Sequence, residues 1–167
     1  PEDAQLREFI AFDPEQNFPS PSFVRQIENQ NLHALNIPEL TIITPAALQT
    51  EAERVAQLHR EEGLTVAVIE QEKIFNEFSS GTPDASAYRR LMKMFYDRAE
   101  GNENVRPRYL LLFGDGSYNN RKSMEKLHSP ECNMLLTYQS KTSIDERESF
   151  VIEDYFGFLE NNSGEEI

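Results

Sequence analysis

Three short apolar runs, each too brief for a helix, constrain this chain more than anything else in it. They are Leu40-Thr41-Ile42-Ile43, Thr65-Val66-Ala67-Val68-Ile69 and Tyr109-Leu110-Leu111-Leu112-Phe113. Runs of this length, without polar alternation, read as strands buried on both faces. Helical patterns lie between them. Thr44-Pro45 supplies an N-cap and a proline for the first helical position; Leu48, Ala52, Val55 and Leu58 then share a face, and Gly63 is placed to end the helix. Ile74, Phe75 and Phe78 mark a short second helix. Thr82-Pro83-Asp84 repeats the cap-and-proline start, with an acid set to meet the helix dipole. Tyr88, Leu91, Met92, Phe95 and Ala99 come next as a continuous stripe at helical spacing, closed by Gly101. Strand, helix, strand, helix, strand implies a parallel sheet with right-handed crossovers. The fold class predicted is therefore α/β, in three layers α/β/α.

On either side of this unit the pattern is less regular. Met134-Leu135-Leu136-Thr137-Tyr138 reads as a further strand, which makes a mainly parallel sheet of about four strands. Phe150 to Leu159 holds another β-like segment, an edge strand or hairpin. Before it all, Leu6 to Phe12 reads as a strand, and prolines at 14, 19, 21 and 38 break the stretch up to residue 38 into extended or turn conformations. Residues 1–38 are expected to be the end of a preceding β-rich region with its linker, and residues 39–167 the α/β unit. The chain opens at Pro1 with neither initiator Met nor signal peptide, and closes in the polar run Glu160 to Ile167. That is the expectation for a piece of a longer protein.

Charge and composition exclude several functions. With 29 acidic and 16 basic side chains the formal net charge is −13, which repels phosphate backbones and argues against a nucleic-acid partner. No apolar stretch approaches the ~20 residues of a membrane-spanning helix. The lone Cys132 has no cysteine in the chain to pair with.

Candidate chemistry is sparse. Ligands of open parallel sheets bind beyond the carboxyl ends of the strands, and Gly114-Asp115-Gly116-Ser117 sits at such an end. Its spacing is neither that of a dinucleotide fingerprint nor that of a P-loop, so a turn whose Asp caps backbone amides is the simpler reading. His128 and Cys132 are four apart, but Pro130 between them argues against a helix that would join them as a base and nucleophile. His59 lies near the end of the first helix and His33 in the linker; no histidine has metal-ligand spacing with another His or Cys. Glu153, Asp154, Glu160, Asn161, Asn162, Glu165 and Glu166 carry oxygens suited to structural calcium, without the spacing of an EF-hand loop. Solvated acidic loops are the commoner meaning of such a cluster. No complete catalytic constellation emerges.

Several segments together resemble one known family. They are Asn29 to Leu35, Glu53 to Arg60, Ile74 to Asp84 (Ile-Phe-Asn-Glu-Phe-Ser-Ser-Gly-Thr-Pro-Asp), Tyr109 to Gly116 (Tyr-Leu-Leu-Leu-Phe-Gly-Asp-Gly) and Asp154-Tyr155-Phe156-Gly157. They are similar to the entry and first, smaller subdomain of gingipain-type, caspase-like cysteine endopeptidases. The particular likeness is to those that act as C-terminal signal peptidase, or sortase, of the Bacteroidetes type IX secretion system. The resemblance runs from about residue 24 to 160. It implies a caspase-like fold, cleavage of C-terminal sorting domains from secreted cargo, and residence on the extracellular face of the outer membrane. As partners it implies the second peptidase subdomain, the cargo and other type IX components; it implies no cofactor. In that family the catalytic His stands in a His-Gly motif and the nucleophilic Cys comes after a later strand, both beyond the Asp-Tyr-Phe-Gly segment. No His occurs after residue 128 here, His-Gly does not occur, and Cys132 does not align with the nucleophile. No catalytic residue is therefore assigned. Asp115, from its strand-end position, and Asp154, from its place in the shared motif, are the candidates for facing the substrate cleft. The alternative is a stand-alone binding module that takes an anion, a metal or a peptide at Gly114-Asp115-Gly116. A scaffold that only holds a partner at the outer membrane is the third reading.

Overall fold

Strand β1, Leu40–Thr44, is buried along its whole length and is the centre of the molecule. In the computed structural model, which describes residues 11–13, 20–23, 26–121, 131–140 and 149–160, it pairs in parallel with β2 (Val66–Glu70) on one side and β3 (Tyr109–Leu112) on the other. Leu40 and Ile42 stand beside Val66 and Val68, while Ile43 stands beside Ile69 and Leu112. The period of two sends these sets to opposite faces. One face packs on Ala52, Val55 and Ala56 of helix α1 (Gln49–Glu61). The other meets Ile74 and Phe75 of α2 (Gln71–Phe78), with Tyr88, Leu91, Met92 and Phe95 of α3 (Ser86–Arg98). The three α/β/α layers are a direct consequence of the patterning.

The helix ends show where local signals work and where packing overrides them. Thr44 does not cap α1: it is the buried last residue of β1, and its hydroxyl donates to the Pro45 carbonyl at 3.3 Å. A 3-10 turn, Ala46–Leu48, intervenes before α1 begins. Leu58 is likewise not part of the buried face; it is 62% exposed, while Ala52 and Ala56 are fully buried. Six residues at the pitch of an α-helix place Leu58 about 120° away from Ala52. The two alanines let α1 lie close against β1. Gly63, at φ 96°, ends α1 as expected, with its N–H donating to Arg60 O at 3.0 Å and the Leu64 N–H to His59 O at 3.0 Å. These two bonds make a Schellman cap. At α3 the acid closes the first turn instead of Thr82: Asp84 accepts the Ser86 N–H at 2.8 Å and the Ser86 hydroxyl at 2.6 Å. The Tyr88-to-Ala99 stripe is buried throughout.

Beyond β3 the sheet is smaller than expected. Among the described residues the main sheet has three strands, not four. The run at 134–138 forms a strand only at β5, Met134–Leu135, and β5 pairs in parallel with β4, Asp115–Gly116, in a separate two-stranded ladder. Pro45 explains the change of partner. Phe113 still donates to Ile43 O at 2.8 Å, but Pro45 has no N–H with which β1 could extend the ladder. Asp115 turns instead to Asn133 O at 2.8 Å. Phe150–Leu159 is also only partly β-like. Ile152 donates to Tyr138 O at 2.9 Å beside an antiparallel bridge between Gln139 and Val151, after which Asp154–Gly157 is a 3-10 helix. The strand expected from Leu6 falls almost wholly outside the described residues. No helix among the described residues is long and apolar enough to cross a membrane.

Candidate functional site

Gly114 sets the geometry at the carboxyl end of β3. A Cβ there would lie 2.9 Å from the Asn133 carbonyl oxygen, 3.0 Å from Leu135 Cγ and 3.1 Å from Pro45 Cδ. Only a glycine allows the 133–135 backbone to close over this strand end. Asp115 comes next, exposed, with its carboxylate accepting the Gly116 N–H at 3.0 Å. Cys132 is buried in the same loop, 5% exposed. His128, its candidate partner base, lies outside the described residues.

The loop bearing β5 is held from below by a buried polar relay. Tyr88, fully buried, donates its hydroxyl to Gln71 Oε1 at 2.7 Å and accepts the Leu136 N–H at 3.4 Å, while Gln71 Nε2 donates to Met134 O at 2.8 Å. Burial pushes the Tyr88 phenol well above its ordinary range, so it stays protonated and keeps donating. Beside it Phe75 stacks on Tyr88 at a centroid distance of 5.6 Å, and Phe156 meets the Tyr88 ring tilted by 46° at 5.7 Å. Tyr155 lies flat on Tyr138 at 3.5 Å. Asn120 completes the loop, accepting the Thr137 N–H at 3.0 Å and donating to Thr137 O at 2.6 Å.

Asp154 stands elsewhere. It is exposed at the start of the 3-10 helix and, with Glu153, Phe156 and Phe158, lines a groove of about 600 Å³ along Leu110–Leu112 of β3. A second groove of about 720 Å³ continues toward the start of β3, past Tyr109, Arg108 and Arg106 to Tyr96. Asp115 lines neither groove. The two cleft candidates thus serve different surroundings, the first in its own turn and the second on the rim of a trough beside the sheet.

Of the calcium candidates, Glu153, Asp154 and Glu160 are described and the rest are not; among the described residues no three of His, Cys, Asp or Glu are grouped to hold a metal ion. His59 bonds Glu62 at 3.0 Å. His33 bonds Glu77 at 2.7 Å and stacks on Phe78 at 4.7 Å. Glu77 is not singled out by any sequence pattern, yet it anchors the segment before β1. It accepts Gln30 Nε2 at 2.9 Å, the Leu32 N–H at 2.7 Å, the His33 N–H at 3.3 Å and the His33 ring. Burial pushes its carboxyl up, but bonds from Leu32, Gln30 and His33 together outweigh that and hold it below the usual carboxylate range. Arg98 clamps the same segment by donating to His33 O at 2.7 Å. The Gln71–Tyr88 relay is likewise missed by sequence reasoning, although a tyrosine within an apolar stripe signals a buried hydroxyl in need of a partner.

A three-stranded parallel sheet with helices on both faces defines an α/β unit in three layers. Residues 33–166 match Peptidase family C25, and the chain belongs to that family, the gingipain peptidases. It is also similar to the crystal structure of dimeric latent PorU from Porphyromonas gingivalis. That match has 47% sequence identity and a TM-score of 0.68, and it covers 80% of this chain and 13% of that one. The architecture is that of the caspase-like first subdomain of that protein. The chain spans about an eighth of the length of the relative it matches, which has further domains. No curated protein matches the sequence.

Proposed function

We propose that this chain is the first subdomain of a cell-surface cysteine endopeptidase that removes C-terminal sorting domains from type IX secreted proteins. The observation that carries the proposal is the 47% identity to PorU over 80% of the chain, within a family match spanning 33–166. In this reading a Cys attacks the scissile carbonyl, a His carries the proton, and backbone amides hold the oxyanion. The nucleophile and base come from the second subdomain. The present chain contributes the wall of the cleft and the surface on which the second subdomain rests, facing outward from the outer membrane. Its buried Cys132 and the turn-bound Asp115 fit a structural task.

The test is a cleavage assay on a secreted cargo that ends in its native sorting domain. The complete polypeptide containing this chain should release the sorting domain, and should stop doing so when its nucleophilic Cys is replaced by Ala. The 167-residue chain should release none. Cleavage by the chain alone would overturn the assignment, and failure of both would favour a binding module.

A further inference from the structure

The Asp154–Gly157 turn is fixed at several points, and Arg89 of α3 supplies two of them. Ahead of the turn, Ile152 donates to Tyr138 O at 2.9 Å beside the Gln139–Val151 bridge. Within it, Tyr138 lies parallel to the Tyr155 ring at 3.5 Å, and the Arg89 guanidinium stands over the same ring, 5.2 Å from its centroid. Phe156 is buried in the core against Tyr88. Just past the turn, Arg89 Nε donates to Phe158 O at 2.7 Å. A planar guanidinium can lie over a ring and donate in its own plane at once, which an ammonium cannot do. The Asp154 carboxylate, by contrast, is exposed, and among the described residues no hydrogen bond or ion pair holds it.

The start of the turn is at the end of the sheet where ligands of parallel folds bind. Glu153 and Asp154 lie alongside Leu110–Leu112, whereas Leu159 and Glu160 lie with Arg106–Leu110. The chain therefore runs from the carboxyl end of β3 back toward its beginning, with Asp154 at the carboxyl end. Resting on the peptidase reading above, we propose that Arg89 is a positioning residue for the substrate cleft. Through Tyr155 and Phe158 it sets the place of the Asp154 carboxylate, and Tyr138 is its second support. Arg89 itself stays behind the turn, on α3, and touches no substrate. Asp154 is left to accept N–H donors of the bound polypeptide, from a backbone ordered before binding, so that little ordering entropy is lost when substrate arrives.

The experiment is steady-state cleavage by the complete polypeptide, on a cargo that ends in its native sorting domain. Arg89→Met keeps the length of the side chain but neither cation nor donor; it should raise KM about tenfold and leave kcat nearly unchanged. Arg89→Lys, which keeps the charge without the planar fork, should fall between the two. Asp154→Asn should also raise KM. Arg89→Met added to it should raise KM by less than about twofold more, because the group that Arg89 positions is already lost. A role in stability alone would lower the unfolding midpoint and leave KM where it was. The proposal is overturned if either single change leaves KM unmoved, or if the two effects multiply. Should Arg89→Met fail to fold, Tyr138→Leu removes the other support of Tyr155 and spares the Arg89–Phe158 bond. The same rise in KM and the same non-additivity with Asp154→Asn are expected from it, and their absence refutes the proposal equally. No cleavage by the unaltered polypeptide would remove the peptidase reading itself, whereas cleavage with an unmoved KM removes only the role of Arg89.

Discussion

The hydroxyl of Tyr88 is a single atom on which the fit of the β5 loop to the helices depends, and Tyr88→Phe removes it without changing the shape of the core. Two groups lose their partner: Gln71 Oε1, bonded at 2.7 Å, and the Leu136 N–H, at 3.4 Å. A buried polar group left unsatisfied costs about 1–3 kcal/mol. The short bond carries most of this and the long one little, so the expected loss is about 2–3 kcal/mol. With a urea m-value of about 2 kcal/mol/M, the midpoint falls by about 1–1.5 M at unchanged m. A cycle with Gln71→Leu isolates the pair, because the double variant no longer strands the Gln71 oxygen. It should cost at least about 1 kcal/mol less than the sum of the single changes. Exchange at Leu135 and Leu136 should rise in Tyr88→Phe before that of the central strand. A loss below about 0.5 kcal/mol, the size of an ordinary surface change, would refute the reasoning.

Gly114→Ala drives a Cβ to 2.9 Å from a backbone oxygen, and overpacking of this kind should cost about 1–3 kcal/mol in urea unfolding, with the 133–135 backbone displaced in a crystal structure of the variant. Glu77 has a lowered carboxyl pKa, so its stabilisation is fully present above the unfolded value of about 4.3 and is lost as pH falls through the lower folded value. Glu77→Gln should therefore flatten the acid limb of a stability–pH profile, and should speed proteolysis in the segment around Gln30, which Glu77 anchors. Gly63→Ala forces a φ of 96° on a residue with a Cβ, in open space, and should lower stability by about 1 kcal/mol through backbone strain alone.

The layers of this fold are legible because burial repeats: every residue of β1 is buried, and the Tyr88–Ala99 stripe holds a helical period over three turns. Gly63 is legible because an αL cap has a strong residue preference. Thr44 misleads because its cap signal competes with a strand that needs one more residue, and Leu58 because its spacing drifts off the face that Ala52 defines. The extent of the fourth strand depends on Pro45 and Gly114, which lie far from it in sequence, so no local pattern around residues 134–138 could state it. The site is harder still. Glu77 and Gln71 act on partners 45 and 63 residues away, and only the folded contact distinguishes them from ordinary surface groups. The groove beside β3 lies where, among the described residues, that strand has a neighbour on one side only, a property of topology and not of composition.

The central claim is that the reactive groups lie outside this chain. An electrophilic peptide probe selective for activated cysteine thiolates tests it most directly, applied in parallel to the complete polypeptide and to the 167-residue chain. One labelled cysteine is expected in the complete protein, located beyond this subdomain, and no label on the chain, where Cys132 is enclosed. Labelling of Cys132 in the folded chain would contradict the claim.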